Sequence, residues 1–551
     1  MTSQRVAGKR FGKCLTILAA GGLLLTVWHE PVRANDFNDG QGPVGARAGD
    51  DLNGLLNRLL GDHDRRCDPR SYGAVADGVT DNTAAIQTAI DRCAARGGGL
   101  VPITGGGTYV TGPIELRSHI FLRIDAPTVL KNTTDHSRYQ PAFIGYPFRF
   151  ANDPTVTGTG PSLPGKPDAM ISVANAEDVG IFGDGTVDGS GNEPASAATA
   201  DNPSALSYWQ LAANAKSLTS YPGFPDIPTS NGLPRPWLVE FYMCRHVRVG
   251  GVLLTHSPMW NLGMRYDTDV VVNGLRVFND ATDPTGAPNT DGIDLVGSRD
   301  VFLTSLNINT GDDDVAMKSG LPGINPANPG VPTFAYYMPP YNLPKIPLTN
   351  VHISHSTFQR GHGMSVGSET VNGVLGIHAH DITFLGTDNG FRIKTGRDRG
   401  NEIAHMRIER LTMTDVGTPI SLSEYYPTVP SATQGDISQP QIPATEPRVH
   451  DILISNLTAT NPKTVRNQNT GNGLIIGVPE SPIRNVTLNN INITTANTNG
   501  AYIRLRNING LTCSDVTVTP LQATAPNSGH TFDNESGLTN LAGCDVAAPS
   551  M

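Results

Sequence analysis

The clearest indication of the fold is the stretch Val301-Phe302-Leu303-Thr304-Ser305-Leu306-Asn307-Ile308. It contains two short runs of alternating side chains separated by a tight polar gap, and period-two alternation is typical of β-strands. Similar runs occur at Val270-Val271-Val272, Val351-His352-Ile353, Ile452-Leu453-Ile454, Val486-Thr487-Leu488 and Ile491-Asn492-Ile493. Some recur at roughly 24 to 31 residues, and others are spread further apart by inserts. This loose period predicts an all-β parallel solenoid, in which each coil buries its apolar face on its neighbours. A β-sandwich would not explain the repeating pairs of strands.

One segment near the start of the ordered pattern has helical spacing instead. Asp81 or Asn82 can cap a helix that runs to about Arg96 and ends at Gly97-Gly98-Gly99. Its apolar stripe consists of Ile86, Ile90, Cys93 and Ala94. We predict a short capping helix over the N-terminal end of the solenoid.

The first residues have the composition of a secretory signal. A basic region (Lys9, Arg10, Lys13) precedes an apolar run, and Val32-Arg33-Ala34 fits a cleavage site. A membrane anchor is the alternative, but the run is shorter than the roughly 20 residues that a span needs. We therefore predict a secreted protein with a signal peptide at 1–34, a flexible linker at 35–66 and a catalytic solenoid at 67–551.

The six cysteines agree with an oxidising compartment. Cys14 leaves with the signal. Cys67 and Cys93 flank the first ordered segment, and Cys513 and Cys544 lie near the C-terminus, so each pair can staple one end of the domain. Cys244 is left over in an apolar stretch, which predicts a buried thiol.

Composition and charge exclude some partners. The 60 Gly and 42 Pro residues suit short strands joined by tight turns. The formal net charge of -10 argues against nucleic-acid binding, and a polyanionic substrate would need a local basic patch. Two Pro-rich segments, near 217–236 and 321–348, interrupt the pattern. They are either loops that wall a cleft or inserts with no role.

A cluster of carboxylates is the first candidate site. Asp291 is followed, after one coil, by Asp312, Asp313 and Asp314. Glycoside hydrolysis needs one carboxyl group as acid and another to activate water, and crowding separates their pKa values. Neighbouring residues of a regular strand face opposite sides, so a turn at Gly311 is needed to bring Asp312 and Asp313 into one cleft. A solvated turn or a calcium site is the alternative.

The second candidate feature is basic. His362 lies between two glycines and can approach a carboxylate closely. Arg392 and Lys394 face the same side of a strand, and Arg397 and Arg399 follow them. Guanidinium and ammonium groups bind carboxylates, so this patch suits an acidic sugar polymer, although a solvated surface strand has the same pattern.

Together these motifs resemble the polygalacturonases of glycoside hydrolase family 28. The matching stretches are NTDGID (289–294), GDDDVAMKSG (311–320), GHGMSVGSET (361–370) and NGFRIKT (389–395). The similarity extends over roughly residues 67–520, since 77–99 resembles the N-terminal cap of pectin-degrading enzymes. It implies a single-stranded right-handed parallel β-helix that hydrolyses α-1,4-galacturonan with inversion.

The resemblance also implies catalytic roles. Asp312 is similar to the general acid, and Asp291 and Asp313 are similar to the pair that positions and activates water. His362 is similar to the histidine that supports protonation of the acid. Many relatives have Cys or Asn where this chain has Asp314, which either raises the pKa of the acid or points into the solenoid wall.

The same resemblance implies the substrate contacts. Arg392 and Lys394 are similar to the residues that bind the galacturonate carboxylate, and Asn289 is similar to a further contact. Tyr426 is similar to the tyrosine that packs on the sugar beside the cleavage point, with Tyr425 as the alternative if the register shifts by one.

Four functions remain open from the sequence. The motifs GHGMSVGSET (361–370) and SYWQLAANAK (207–216) resemble bacterial endo-polygalacturonases most closely. The 321–348 insert keeps an exo-acting enzyme open, and the aspartates keep a calcium-dependent pectate lyase or a non-catalytic binder open. We predict an endo-acting hydrolase of polygalacturonate or de-esterified pectin. It is expected to be monomeric and to need no metal, cofactor or membrane contact. Its activity is expected to peak in mildly acidic solution, because crowding of the aspartates keeps Asp312 protonated there.

Overall fold

The computed structural model describes much of the chain from Arg66 onward. The described residues are 66–139, 169–199, 202–215, 235–320, 345–431, 434–439, 446–461, 472–496, 502–521, 536–539 and 544–546. The predicted signal peptide, nearly all of the predicted linker and most of both Pro-rich segments lie outside these ranges. Across the described residues, no helix is long and apolar enough to cross a membrane.

The described chain consists mainly of short strands. In chain order they are β1 (Asp77–Asp81), β2 (Gly99–Ile103), β3 (Thr108–Thr111), β4 (Ile114–Leu116), β5 (Ile120–Ile124), β6 (Val129–Asn132), β7 (Ala169–Ala174), β8 (Glu177–Gly183), β9 (Thr186–Asp188), β10 (Trp237–Tyr242), β11 (Arg245–Gly250), β12 (Leu253–Thr255), β13 (Leu262–Arg265), β14 (Thr268–Asn273), β15 (Arg276–Phe278), β16 (Ile293–Val296), β17 (Arg299–Thr304), β18 (Asn307–Thr310), β19 (Val315–Lys318), β20 (Leu348–Arg360), β21 (Met364–Gly367), β22 (Val374–Leu385), β23 (Asn389–Lys394), β24 (Glu402–Thr414), β25 (Thr418–Ser423), β26 (Arg448–Asn461), β27 (Leu474–Ile476), β28 (Ile483–Thr495), β29 (Arg504–Arg506), β30 (Ile508–Pro520) and β31 (Ser536–Thr539).

The strands form parallel ladders. Eleven make one sheet in the order β4-β7-β10-β13-β16-β19-β21-β23-β25-β27-β29. The other twenty make two ladders that merge at β20, because β17 pairs with its first half and β18 with its second. His355 bends this long strand in the left-handed region at φ 50°. The architecture is the predicted right-handed parallel β-helix.

The core explains the repeating sequence pattern. Val301 and Leu303 of β17 are fully buried, and Leu306 and Ile308 of the second run are 2% and 0% exposed. Val301 stacks on Val270 of the preceding coil and on Val351 of the following one. Burial of each such side chain stabilises the fold by about 1.5–3 kcal/mol. Each coil depends on its neighbours for this burial.

The predicted capping helix is present as α1 (Thr83–Ala94). Asn82 is its N-cap residue, but the Asp81 carboxylate accepts the Thr83 N–H at 2.9 Å while the Asn82 amide bonds Val75. Its buried face, formed by Ile86, Ala89, Ile90 and Cys93, packs on the first strands of the solenoid.

A second helix, α2 (Tyr208–Ala215), was not predicted as a helix, and two 3₁₀ turns occur at Pro69–Tyr72 and His136–Arg138. In α2, the buried Trp209 indole donates to the Ser257 carbonyl at 2.8 Å. Short length and few charged residues gave this segment no clear helical signal.

Both predicted disulfides are confirmed. Cys67–Cys93 has a Cα–Cα distance of 5.7 Å and joins α1 to the chain entering the solenoid. Cys513–Cys544 has a Cα–Cα distance of 6.3 Å and ties β30 to the C-terminal residues. Cys244 is buried as predicted, with its thiol near the Tyr242 carbonyl at 3.4 Å.

Candidate active site

The candidate residues lie in turns that enter neighbouring strands of the eleven-stranded sheet. Asp291 precedes β16, Asp312 and Asp313 precede β19, His362 precedes β21, and Asp388 precedes β23. Backbone hydrogen bonds hold these turns in step, from His362 N to Asp312 O at 2.8 Å and from Asp388 N to Gly361 O at 2.9 Å. Because successive coils lie about 4.8 Å apart, residues distant in sequence meet at one edge.

Two glycines allow the turns to approach so closely. A Cβ on Gly311 would collide with the Ala287 carbonyl oxygen of the neighbouring turn, and one on Gly363 would collide with the Asn389 carbonyl oxygen. Gly363 also has φ 80°, which a side chain would strain. The chain bends at Gly311, as predicted, and both Asp312 and Asp313 then face His362.

Asp312 and His362 form a pair. Asp312 Oδ1 lies 2.9 Å from His362 Nδ1, and His362 Nε2 lies 3.4 Å from Asp388 Oδ2. Burial alone would raise the pKa of Asp312, but the His362 imidazole holds that pKa below its usual range. Burial would likewise lower the pKa of His362, but the Asp312 carboxylate raises it. One proton therefore belongs to the pair and rests on the imidazole.

Asp313 is fully buried beside a cation. Lys394 Nζ donates to its Oδ2 at 2.5 Å, and Ser365 Oγ donates to its Oδ1 at 2.9 Å. Burial would raise the pKa of Asp313, but the Lys394 ammonium lowers it. Asp313 is thus an ionised carboxylate with an additional guanidinium, that of Arg392, 3.9 Å away.

Asp291 belongs to a second buried network. Lys318 Nζ lies 3.8 Å from Asp291 Oδ2, 2.8 Å from Asp294 Oδ1 and 3.7 Å from Glu369 Oε2. Burial and the nearby Asp312 charge raise the pKa of Asp291 well above its usual value. Burial and crowding therefore favour the protonated form of Asp291, whereas the sequence predicted a protonated Asp312.

Asp314 points away from this site. It is fully buried, and its Oδ2 accepts the Gly363 N–H at 3.0 Å. Burial raises the pKa of Asp314 well above its usual value, which favours its neutral form. Of the two alternatives left open by the sequence, the structure supports the one in which Asp314 lies in the solenoid wall.

A cavity of about 410 Å³ opens beside His362. Arg392, Lys394 and Tyr426 line it, as does Asp388. Arg392 keeps a fifth of its side chain exposed, at 20%. The cationic side chains and the aromatic ring could hold an anionic, ring-shaped ligand here.

The neighbouring basic residues are already paired. Arg397 bonds Glu480 and Asp436, and Arg399 bonds Asp398 at 2.8 Å. Arg392 and Lys394 are consequently the cations of the predicted patch that line the cavity.

The two tyrosine alternatives differ in burial. Tyr425 is fully buried, and its hydroxyl donates to Asp436 at 2.5 Å. Tyr426 is half-buried, and its ring lies 5.8 Å from Lys394 Nζ and 5.3 Å from the Arg399 guanidinium. The geometry therefore favours Tyr426 as the residue that can meet a ligand.

Asn289 bridges the acid pair to the solenoid. Its amide nitrogen lies 3.4 Å from Asp312 Oδ2, and its amide oxygen accepts from Arg235 at 2.8 Å. Arg235 is fully buried and also donates to the Pro258 and Pro288 carbonyls. Asn289 thus positions the Asp312 carboxylate.

The site has some of the side chains that could bind a metal cation, but not a full set of ligands. One ligand atom each from Asp312, Asp313 and His362 lie within 4.8 Å of one another. Calcium requires six to eight oxygen ligands, whereas these carboxylates already neutralise His362 and Lys394. The donor set does not fit the calcium site of a lyase.

Comparison with known proteins assigns the family. The model of the glycosyl hydrolases family 28 matches residues 123–513. The chain belongs to glycosyl hydrolase family 28. It is similar to an endo-polygalacturonase from Pectobacterium carotovorum subsp. carotovorum, with 28% identity over 347 residues, which cover 62% of this chain and 72% of the relative.

Solved structures support the fold of this family 28 chain. An exopolygalacturonase from Yersinia enterocolitica aligns with a TM-score of 0.61 and 20% identity, over 88% of this chain and 79% of that one. A polygalacturonase from Erwinia carotovora ssp. carotovora aligns with a TM-score of 0.55 and 22% identity, over 83% and 96% of the two chains.

Several residues of this family 28 site were missed from the sequence. Asp294, Lys318, Ser365 and Glu369 lie within the quoted motifs, but no role was given to them. Asp388 lies just before the NGFRIKT motif and faces His362. Strand alternation was an available signal for Ser365, which lies between the apolar Met364 and Val366 and is the register partner of Arg392 on β23.

Proposed function

We propose that this family 28 enzyme hydrolyses α-1,4-glycosidic bonds of polygalacturonate by an inverting acid–base mechanism. The observation that carries the proposal is the Asp312–His362 pair at 2.9 Å, next to an ionised Asp313 and a cavity with a cationic lining. The pair that holds the proton and the ionised base Asp313 are thus close together.

The acid step uses the proton of the pair. As the glycosidic bond breaks, negative charge develops on the leaving oxygen, and Asp312 delivers the proton that it shares with His362. The imidazole then becomes neutral, and Asn289 holds the Asp312 carboxylate in place. The catalytic roles are therefore Asp312 as general acid and His362 as its proton partner.

The base step uses the other two carboxyl groups. Lys394 keeps Asp313 ionised, so Asp313 is suited to remove a proton from the attacking water. The raised pKa of Asp291 favours its protonated form, which is suited to orient the same water by a hydrogen bond. The water attacks the anomeric carbon from the face opposite the leaving oxygen, which inverts the configuration.

The substrate contacts follow from charge and exposure. Arg392 is the partly exposed cation of the cavity and is suited to a forked contact with a galacturonate carboxylate. Lys394 adds positive charge from its position on Asp313, and Tyr426 offers a ring face for the sugar. These roles agree with a polyanionic polymer as the substrate.

We also propose that the enzyme is endo-acting, which its similarity to the endo-polygalacturonase from Pectobacterium carotovorum supports. The test is the chain-length distribution of products from de-esterified polygalacturonate over time. Mixed oligomers at early times are expected. A single small product from the first time point would contradict endo action and identify an exo-acting enzyme.

We further propose that the enzyme is a secreted monomer that meets pectin outside the cell. The basic and apolar sequence of residues 1–34 supports export, and the two disulfides agree with an oxidising compartment. Residues 35–66 would then be the linker that precedes the catalytic solenoid.

A further inference from the structure

A cluster of histidines lies on the solenoid wall, on strands of the merged ladders rather than on the eleven-stranded sheet that carries the active site. His352 is on β20, and His378 and His380 are on β22. His352 is the register partner of His378, and His380 follows on the same side of its strand. The alternating residues Ile353 and Ile377 fill the core, so the imidazoles are on the outer face.

The ring nitrogens converge. His352 Nε2 and His380 Nε2 are 3.1 Å apart, and one ligand atom from each of the three residues lies within 4.8 Å of the others. Nitrogen ligands of a tetrahedral zinc ion, at 2.0–2.1 Å from the metal, are about 3.3 Å from one another. The His352–His380 pair is close to this spacing, and one ring nitrogen of His378 lies within 4.8 Å of both.

Carboxylates orient the imidazoles from behind. Asp381 Oδ2 lies 2.6 Å from His380 Nδ1, and Arg410 holds Asp381 with bonds of 2.8 and 3.0 Å. A proton on His380 Nδ1 leaves the Nε2 lone pair facing His352. Carboxylate–histidine pairs of this kind commonly fix the tautomer of metal ligands. Glu409 Oε2 lies 3.4 Å from His378 Nε2 and also accepts a hydrogen bond from Arg407.

We propose that His352, His378 and His380 bind one divalent transition-metal ion of the zinc class on the outer wall of the solenoid. The three ligands come from two adjacent coils, so the ion joins β20 to β22 and stabilises the stack without taking part in catalysis. The site goes beyond the expectation of no metal, and its signal in the sequence is His378-Ala379-His380, which places two imidazoles on one side of a strand.

The test uses the untagged protein, stripped with chelator and titrated with Zn²⁺. Calorimetry and elemental analysis should give one bound zinc per chain, and the melting temperature should rise by a few degrees with Zn²⁺ but not with Mg²⁺. His352→Gln with His380→Gln should abolish both effects. Asp381→Asn should weaken binding by about 10–100-fold. His246→Gln, an outer-face histidine of β11, is the matched control and should bind as the unaltered protein does.

Two results would overturn the proposal. One is the lack of stoichiometric zinc binding by the unaltered chain. The other is binding that survives in the double variant and disappears when galacturonate oligomers are added, since the zinc would then belong to Asp312, Asp313 and His362. Thermal melting in the presence of chelator checks that the double variant folds. Under these conditions its stability and its turnover of polygalacturonate should match those of the unaltered protein.

Discussion

Asp312 and Asp314 are near neighbours in sequence with opposite environments. Asp312 faces His362 at the cavity, and Asp314 is buried against the Gly363 N–H. The bend at Gly311 separates them, because it interrupts the alternation of a regular strand. The structure therefore contains a matched pair of carboxyl groups with which to test the general acid.

Asp312→Asn should lower kcat by at least about 100-fold, because an amide cannot deliver a proton to the leaving oxygen. Substrate binding and the melting temperature should be retained. Asp314→Asn is the control: it replaces a buried carboxyl that points away from the cavity by a group of the same shape, so kcat should change little. Steady-state kinetics on polygalacturonate measure both variants. An Asp312→Asn enzyme that keeps more than about a tenth of kcat would refute this role for Asp312.

The pH profile should follow the Asp312–His362 pair. The Asp312 carboxylate raises the pKa of His362, so the pair holds one proton below that value and none above it. Activity should fall as pH rises through a value above the ordinary histidine pKa of about 6.5. Asp313, whose pKa is lowered, stays ionised in mild acid and supports activity there. The measurement is kcat/KM against pH, and a chelator should leave the profile unchanged.

Substitutions of Lys394 and Arg392 should differ in their effect on stability. Lys394→Ala leaves the buried Asp313 charge without its ammonium partner, which costs about 3–5 kcal/mol of unfolding free energy at neutral pH. The lowered pKa of Asp313 means that this loss shrinks as pH falls through that pKa. Denaturant unfolding at neutral and acidic pH measures it.

Arg392→Ala is the comparison, because Arg392 is partly exposed and lies 3.9 Å from Asp313. It should raise KM with little change in unfolding. Equal stability of both variants would show that Lys394 does not support Asp313.

At the scale of elements, α1 and its disulfide protect the start of the solenoid. The helix buries Ile86 and Ile90 against the first strands, and Cys93 joins it to Cys67 across a sequence separation of 26 residues. Without this cover, the first coil would expose its apolar face and its unpaired strand edges.

Replacing both Cys67 and Cys93 by Ala should destabilise the protein by about 3 to 4 kcal/mol, since a cross-link of this loop length restricts the unfolded chain. Thermal melting and the pH 5 activity of the variant measure the effect. Activity at low temperature should persist, because the active site lies several coils away. Loss of activity without a drop in melting temperature would contradict a purely stabilising role.

For the whole molecule, the fold was predictable because each coil repeats one pattern. Two strands are predicted by the alternating apolar residues of this coil alone, which are Val301, Leu303, Leu306 and Ile308. The same pattern in other coils supports the period. The continuous length of β20 was not predictable. Its two halves meet at a single left-handed residue, His355, and the strand continues around that bend. Local sequence does not distinguish such a bend from a gap.

The grouping of the candidate site residues was predictable from the motifs, but the directions of their pKa shifts were not. The motifs identify Asp291, Asp312 and Asp313, whereas their pKa values depend on partners from other coils. Lys394 is 81 residues away from Asp313 along the chain. Which carboxyl group faces which cation depends on the register of the coils, and that information appears only after folding.

The stereochemistry of the first product distinguishes an inverting hydrolase from the alternatives. Polygalacturonate is incubated with the enzyme inside an NMR tube, and the anomeric signals of the new reducing ends are recorded before mutarotation. An inverting hydrolase releases the β anomer first from the α-linked polymer, with no unsaturated product. An α anomer at the earliest time would contradict inversion, and an unsaturated sugar would show that the enzyme is a lyase.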